Sequence, residues 1–91
     1  MNKRKRGIDI ITPPHEVEIP EGHNPIAPRS INFTYQRVLW IVADKYVDPQ
    51  LEGWERYEFV WVLADRDGNV KATYTGKKST LPAKFKKYLE A

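Results

Sequence analysis

VLWIVADK at residues 38–45 and FVWVLADR at residues 59–66 are nearly one eight-residue phrase written twice. Trp40 matches Trp61, Ala43 matches Ala64 and Asp44 matches Asp65, while the other five positions exchange like for like. The second copy runs on as YEFVWVLADRDGNVKATYTG (57–76), where Asp67-Gly68 between apolar runs reads as the two positive-φ residues of a tight hairpin turn. If like sequence takes like structure, both copies are strands. A helical reading competes over 31–47, because Ile31, Tyr35, Val38, Leu39, Val42, Ala43 and Tyr46 share one helix face. The β-branched run, and Trp40 and Ile41 on the wrong face of such a helix, favour the strand.

A two-residue turn at Asp67-Gly68 sets Arg66 against Asn69, Trp61 against Tyr74, Val62 against Thr73 and Leu63 against Ala72. One hairpin face then gathers Phe59, Trp61, Leu63, Ala72 and Tyr74, and the other sets Val60, Val62 and Ala64 beside Lys71, Thr73 and Thr75. Downstream, KKSTLPAKFKKYLEA (77–91) offers Ser79 or Thr80 as a cap and Pro82 in a first turn. Leu81, Phe85, Tyr88 and Leu89 form its apolar stripe, suited to the Trp61 face. The expected fold is α+β: a three-stranded antiparallel sheet packed by one C-terminal helix, preceded by an extended Pro-rich segment.

Ninety-one residues fill one core. The expected division is a disordered basic arm at 1–6, an extended segment at 7–29 with five of the seven prolines, and a compact β-β-β-α domain at 30–91. Ile8, Ile10, Ile11, Val17, Ile19 and Ile26 of the Pro-rich segment either wrap over the core or order on a partner. No apolar run approaches the roughly 20 residues that span a bilayer, so no membrane partner is expected. The basic start, followed by a short apolar stretch broken by Asp9, does not read as a secretory signal. With no cysteine, disulfides and thiolate metal sites are excluded. The expectation is a cytoplasmic, nucleoid or nuclear location.

The net charge of +3 conceals segregation: residues 1–6 carry +4, residues 7–70 carry −6 and residues 71–91 carry +5. Basic ends around an acidic centre point to a polyanionic partner, with a solvated surface as the bland alternative. Chemistry finds less footing. His15 and His23 are eight apart in the Pro-rich segment with no fixed third ligand, so no metal or cofactor is expected. Asp65-Arg-Asp67-Gly-Asn69 resembles the start of a calcium loop, but its glycine is early and its twelfth position is Gly76. Asp44 and Asp65 would serve acid–base chemistry only if close and desolvated. The chain does not read as an enzyme.

Nucleic acid suits the residues better, DNA more than RNA. Lys3, Arg4, Lys5 and Arg6 can neutralise phosphates as a flexible arm does, and Lys71, Thr73, Lys77 and Lys78 supply a docking face. In element order, residues 35–91 are similar to the sheet-reading DNA-binding domains of some integrases and plant transcription factors, which implies a sheet face laid in a major groove. Tyr35, Tyr46, Trp54 or Tyr57, if exposed, can instead stack on unpaired bases. The leading expectation is thus an accessory or regulatory nucleic-acid-binding module that acts by occupancy. The alternative is a protein-interaction module, a subunit or inhibitor, with a homodimer as one form of it. It would use Leu39, Ile41, Trp54, Glu55, Val60 and Val62 where the helix leaves the strand pair uncovered.

Overall fold

Four strands, not three, make the sheet. The computed structural model describes residues 11–89, Phe33 by its backbone alone. Strands β1 (Asn24–Phe33), β2 (Val38–Tyr46), β3 (Tyr57–Ala64) and β4 (Val70–Gly76) pair antiparallel in the order β1-β2-β3-β4. The expected C-terminal helix is a four-residue turn, α1 (Ala83–Lys86). The chain is therefore mostly β, and the three-stranded, helix-backed fold is overturned on both counts. The likeness to sheet-reading DNA-binding domains rested on that element order and goes with it.

The additional strand begins inside the Pro-rich segment, as NPIAPRSINF. Pro25 and Pro28 lack an N–H, which a central strand does not tolerate but an edge strand does. Pairing with β2 breaks between Pro25 and Arg29 and again between Ser30 and Asn32, so the prolines lie in or beside an irregularity. The same feature blunts the outer edge against further pairing.

The two copies of the repeat are β2 and β3, side by side, but their tryptophans face opposite ways. Ile41 lies opposite Trp61, and Trp40 opposite Val62. Leu39, Ile41, Phe59, Trp61 and Leu63 share one face, while Val38, Trp40, Val42, Val60, Val62 and Ala64 share the other. All of these side chains are buried, each fully buried aliphatic or aromatic contributing about 1.5–3 kcal/mol. A bulge between Ile41 and Ala43 inserts Val42, so Ala43 pairs with Val60 and Asp44 with Phe59. The bulge turns Ala43 onto the Trp40 face and Asp44 onto the Trp61 face, against simple alternation.

The hairpin reaches the expected register by a different route. Trp61↔Tyr74, Val62↔Thr73 and Leu63↔Ala72 pair as expected. The turn, however, has only one positive-φ residue, Gly68 at +91°. The Gly68 N–H donates to the Asp65 carbonyl (3.2 Å) and the Asp65 N–H to the Asn69 carbonyl (3.0 Å), which makes a three-residue loop over 66–68. That loop shifts pairing by one residue. A bulge at Lys71, between the Leu63↔Ala72 and Ala64↔Val70 pairs, shifts it back.

Each sheet face has its own cover. On the Trp61 face, Leu81, Phe85 and Tyr88 are buried against the sheet, as the apolar stripe implied. The Trp61 Nε1–H donates to the Gly76 carbonyl (3.0 Å) and the Tyr74 hydroxyl to the Thr80 carbonyl (3.0 Å), holding this segment down. Its helix stays short because no side chain caps Pro82 and Lys84, Lys86 and Lys87 crowd one turn and a half without acidic partners among the described residues. On the Trp40 face, Ile11, Val17 and Ile19 pack down as an irregular strap. The strap is anchored where the Thr12 N–H donates to the Arg66 carbonyl and the His15 N–H to the Gly68 carbonyl, both at 3.0 Å.

Candidate nucleic-acid interface

The C-terminal segment leaves one end of the Trp61 face open, where β2 ends and β3 begins. The connection there passes through Gly53, whose φ of +62° starts a 3-10 turn over Gly53–Arg56. The Val47 N–H donates to the Arg56 carbonyl (2.9 Å), closing the connection and fixing Trp54 and Arg56 at the sheet end. The result is a cleft of about 370 Å³ floored by Ile26, Ile41 and Phe59 and walled by Trp54, Tyr57, Arg29, Arg56 and Asp44.

Its centre is aromatic. Trp54 stacks on Trp61 at 6.4 Å between ring centroids with an interplanar angle of 18°, and tilts against Phe59 at 5.5 Å. Tyr57 meets Tyr46 edge-on at 5.4 Å. Cations sit over these rings: Lys78 Nζ at 4.8 Å and Arg29 Cζ at 5.9 Å from Trp54, and Arg56 Cζ at 6.0 Å from Tyr57. Among the described residues, no hydrogen bond or ion pair engages the side chains of Arg29, Arg56, Lys78 or Asp44. Arg56 Nε is fully buried with no hydrogen-bond partner, an arrangement that costs stability unless something supplies an acceptor.

Three neighbouring acids have partners, while the Glu52 side chain beside Gly53 has none among the described residues. Asp48 pairs with Lys77 at 3.8 Å, Glu58 Oε2 lies 3.1 Å from His23 Nε2, and Glu55 accepts from the Ser79 hydroxyl at 2.9 Å. Among the described residues, Asp44 is the one carboxylate lining the cleft, against Arg29, Arg56 and the adjoining Lys78. Counting the lining residues and Lys78, the balance is positive, with the charges of Glu52, Glu55 and Glu58 beside it.

The residues expected on one docking face separate. Lys71 lies toward the far end of the sheet, 3.9 Å from Asp65. Thr73 is exposed on the Trp40 face, in a groove it shares with Glu16, Val17 and Glu18 of the strap. Lys77 and Lys78 come to the cleft end, and only Lys78 lies over a cleft ring. Lys3, Arg4, Lys5 and Arg6, and with them the expected arm at 1–6, lie outside the described residues. Of the alternative interface, Val60 and Val62 are buried under the strap and Leu39 and Ile41 under the opposite cover or cleft floor, while Trp54 lines the cleft and Glu55 turns to Ser79 beside it.

Asp44 and Asp65 occupy opposite ends of the sheet, because antiparallel pairing sends matching positions of the repeat apart. Asp65 Oδ1 accepts from the backbone N–H groups of Asn69 and Asp67, both at 2.9 Å, and Oδ2 from the Asn69 amide at 3.1 Å. The Asn69 backbone bond, then its side-chain bond, hold the Asp65 carboxyl below its ordinary 3.8, with smaller help from the Asp67 N–H and Lys71. His15 Nε2 meets the Asp67 carbonyl at 3.0 Å and so belongs to the strap anchor. No group of three His, Asp or Glu side chains gathers as a metal cage among the described residues, and no helix among them is long and apolar enough to cross a membrane.

Sequence reasoning missed that Arg29, Arg56 and Asp44 line one cleft with Trp54. Arg29 was hidden in a segment without visible periodicity, and Asp44 faces the cleft only because of the bulge. The available signal was Gly53-Trp54-Glu55-Arg56, a tight turn carrying an aromatic and a guanidinium between two strands. Comparison of the chain with protein-family models, with curated proteins and with solved structures finds no match.

Proposed function

We propose that this chain is a small nucleic-acid-binding module that takes up unpaired bases at the Trp54 cleft and acts by occupancy, making and breaking no bond. The observation that carries this reading is the set of Arg29, Arg56 and Lys78 over Trp54 and Tyr57, none with an acidic partner among the described residues. Aromatic faces beside unpaired cations are what single strands need, rings for the bases and charges for the phosphates. A groove-docked sheet has less support, because Thr73 and Thr75 share their surface with Glu16 and Glu18, which repel phosphate. Lys3, Arg4, Lys5 and Arg6 would add affinity without sequence preference. An intracellular module fits the lack of cysteine.

The test is an anisotropy titration of the full chain with labelled single-stranded DNA, single-stranded RNA and duplex DNA. The three cleft cations imply a single-strand salt slope of about −2, hence roughly a 20-fold weakening between about 50 and 200 mM salt. The arm steepens this slope in the full chain, and replacing Lys3, Arg4, Lys5 and Arg6 together by Ala should weaken all three ligands and bring it back toward about −2. Failure to bind any of the three at low salt, or a preference for duplex unaffected by Trp54→Ala, would overturn the reading. In that event Trp54 and Glu55 would be tested as a protein interface.

A further inference from the structure

Asp44 is out of place in a cleft built to hold an anion. It stands at the end of β2 among Arg29, Arg56, Trp54 and Tyr57, yet neither guanidinium forms an ion pair with it. Its position is a product of the backbone. The extra residue Val42 reverses the alternation, so that Asp44 lies opposite Phe59 on the Trp61 face instead of pointing to the strap. Bulges of this kind re-aim single side chains beside functional sites. Without the bulge the cleft would hold cations and rings alone and accept any base.

We infer that the cleft is selective for guanine in a single strand, with Asp44 accepting the N1–H and N2–H donors of the base while Arg29 or Arg56 serves its O6 and N7 acceptors. The inference rests on the nucleic-acid reading above and adds the identity of the base. An ionised carboxylate is an acceptor with two oxygens side by side. Guanine alone among the common bases carries two adjacent donors on its Watson–Crick edge and so can engage both. Adenine, cytosine and uracil or thymine each present an acceptor beside a donor, and that acceptor would face the carboxylate. The opposite edge of guanine, O6 with N7, is the commonest target of an arginine fork. One base therefore satisfies both signs of charge in this cleft. The volume of about 370 Å³ lies at the small end of ligand pockets, suited to one base rather than a stacked pair.

The experiment titrates the full chain against fluorescein-labelled oligo(dT) of about ten nucleotides carrying a single central dG, deoxyinosine, dA, dC or dT. The dG strand should bind about 5–150-fold more tightly than the dT strand, the range for one bidentate base contact. Deoxyinosine keeps N1–H and O6 but lacks the N2 amine, and should fall between them. Asp44→Asn, and Asp44→Ser as a second variant, should lower the dG-to-dT affinity ratio and abolish the step between dG and deoxyinosine, because the arginine contact to O6 and N7 is common to both, while thermal melting confirms that each is folded. Free guanosine monophosphate should compete far more weakly than the dG strand, because it brings one phosphate to three cations. Equal binding of all five strands, or a dG-over-deoxyinosine preference that both Asp44 variants leave unchanged, overturns the guanine inference and leaves the parent reading intact. Competition by the free nucleotide at parity overturns the assignment to a strand. Failure of every strand to bind overturns both.

Discussion

Replacing Gly68 by Ala tests the strap and the turn together, with Gly53→Ala as its internal control. Both glycines have positive φ, +91° and +62°, so each alanine bears the left-handed penalty of about 1–2 kcal/mol. They differ in what a Cβ would meet. At Gly53 nothing lies within 4 Å, whereas at Gly68 the added atom would stand 2.5 Å from the Pro13 carbonyl oxygen and 2.9 Å from His15 Nε2. That carbonyl is backbone, so the strap must lift. Lifting it breaks the bonds from Thr12 to Arg66 and from His15 to Gly68, about 1 kcal/mol each, and loosens Val17 and Ile19 over Val60 and Val62. Gly68→Ala should therefore cost about 3–4 kcal/mol and Gly53→Ala about 1–2. Urea unfolding followed by tryptophan fluorescence gives both values, with the midpoint shift read at constant slope. The reasoning is refuted if the two variants agree within about 0.5 kcal/mol, since the strap would then contribute nothing at Gly68. That result would also reopen the Val60–Val62 surface to a protein partner.

Trp54→Ala should weaken single-strand binding by about 1–3 kcal/mol, or roughly 5–150-fold in an anisotropy titration, the usual worth of one stacked base. Phe85→Ala should cost about 3–5 kcal/mol in the same urea assay, because Phe85 is 1% exposed beneath the short helical turn. Asp65 gives a pH dependence. Its folded carboxyl is held below the ordinary 3.8, so its contribution is present above that value and is lost as the pH falls through the folded value. Asp65→Asn should lower the melting temperature at neutral pH, and the gap from the parent should narrow below pH 3.8, measured by thermal melts across that range.

The hairpin and both apolar faces of β3 were legible because alternation and an Asp-Gly turn are local signals. The register was legible for the wrong reason: the loop is one residue longer than expected, and the bulge at Lys71 compensates. β1 was not legible, since its prolines are evidence against a central strand, and only the pairing order shows it to be an edge. The C-terminal stripe was legible as a set of buried residues and misleading as a helix. Spacing reports which side chains point inward, and Leu81, Phe85 and Tyr88 point inward from a segment with one short turn of regular helix.

The site was the least legible part, and the repeat explains why. Matching letters in neighbouring antiparallel strands are carried to opposite ends of the sheet, and the bulge in β2 then sets them on different terms. Asp65 closes a turn and spends its oxygens on Asn69 and Asp67. Asp44, the same residue in the same phrase, is delivered to an aromatic cleft with both oxygens free of described partners. The difference arises from the pairing direction and from one inserted residue, Val42, neither of which is written in the eight letters. A one-residue register slip that absorbed Val42 and set Asp44 opposite Glu58 would therefore damage the cleft more than the fold. Asp44 would turn toward the strap, Leu39, Ile41 and Trp61 would keep their cover, and the loss would appear in base preference before it appeared in a melting curve.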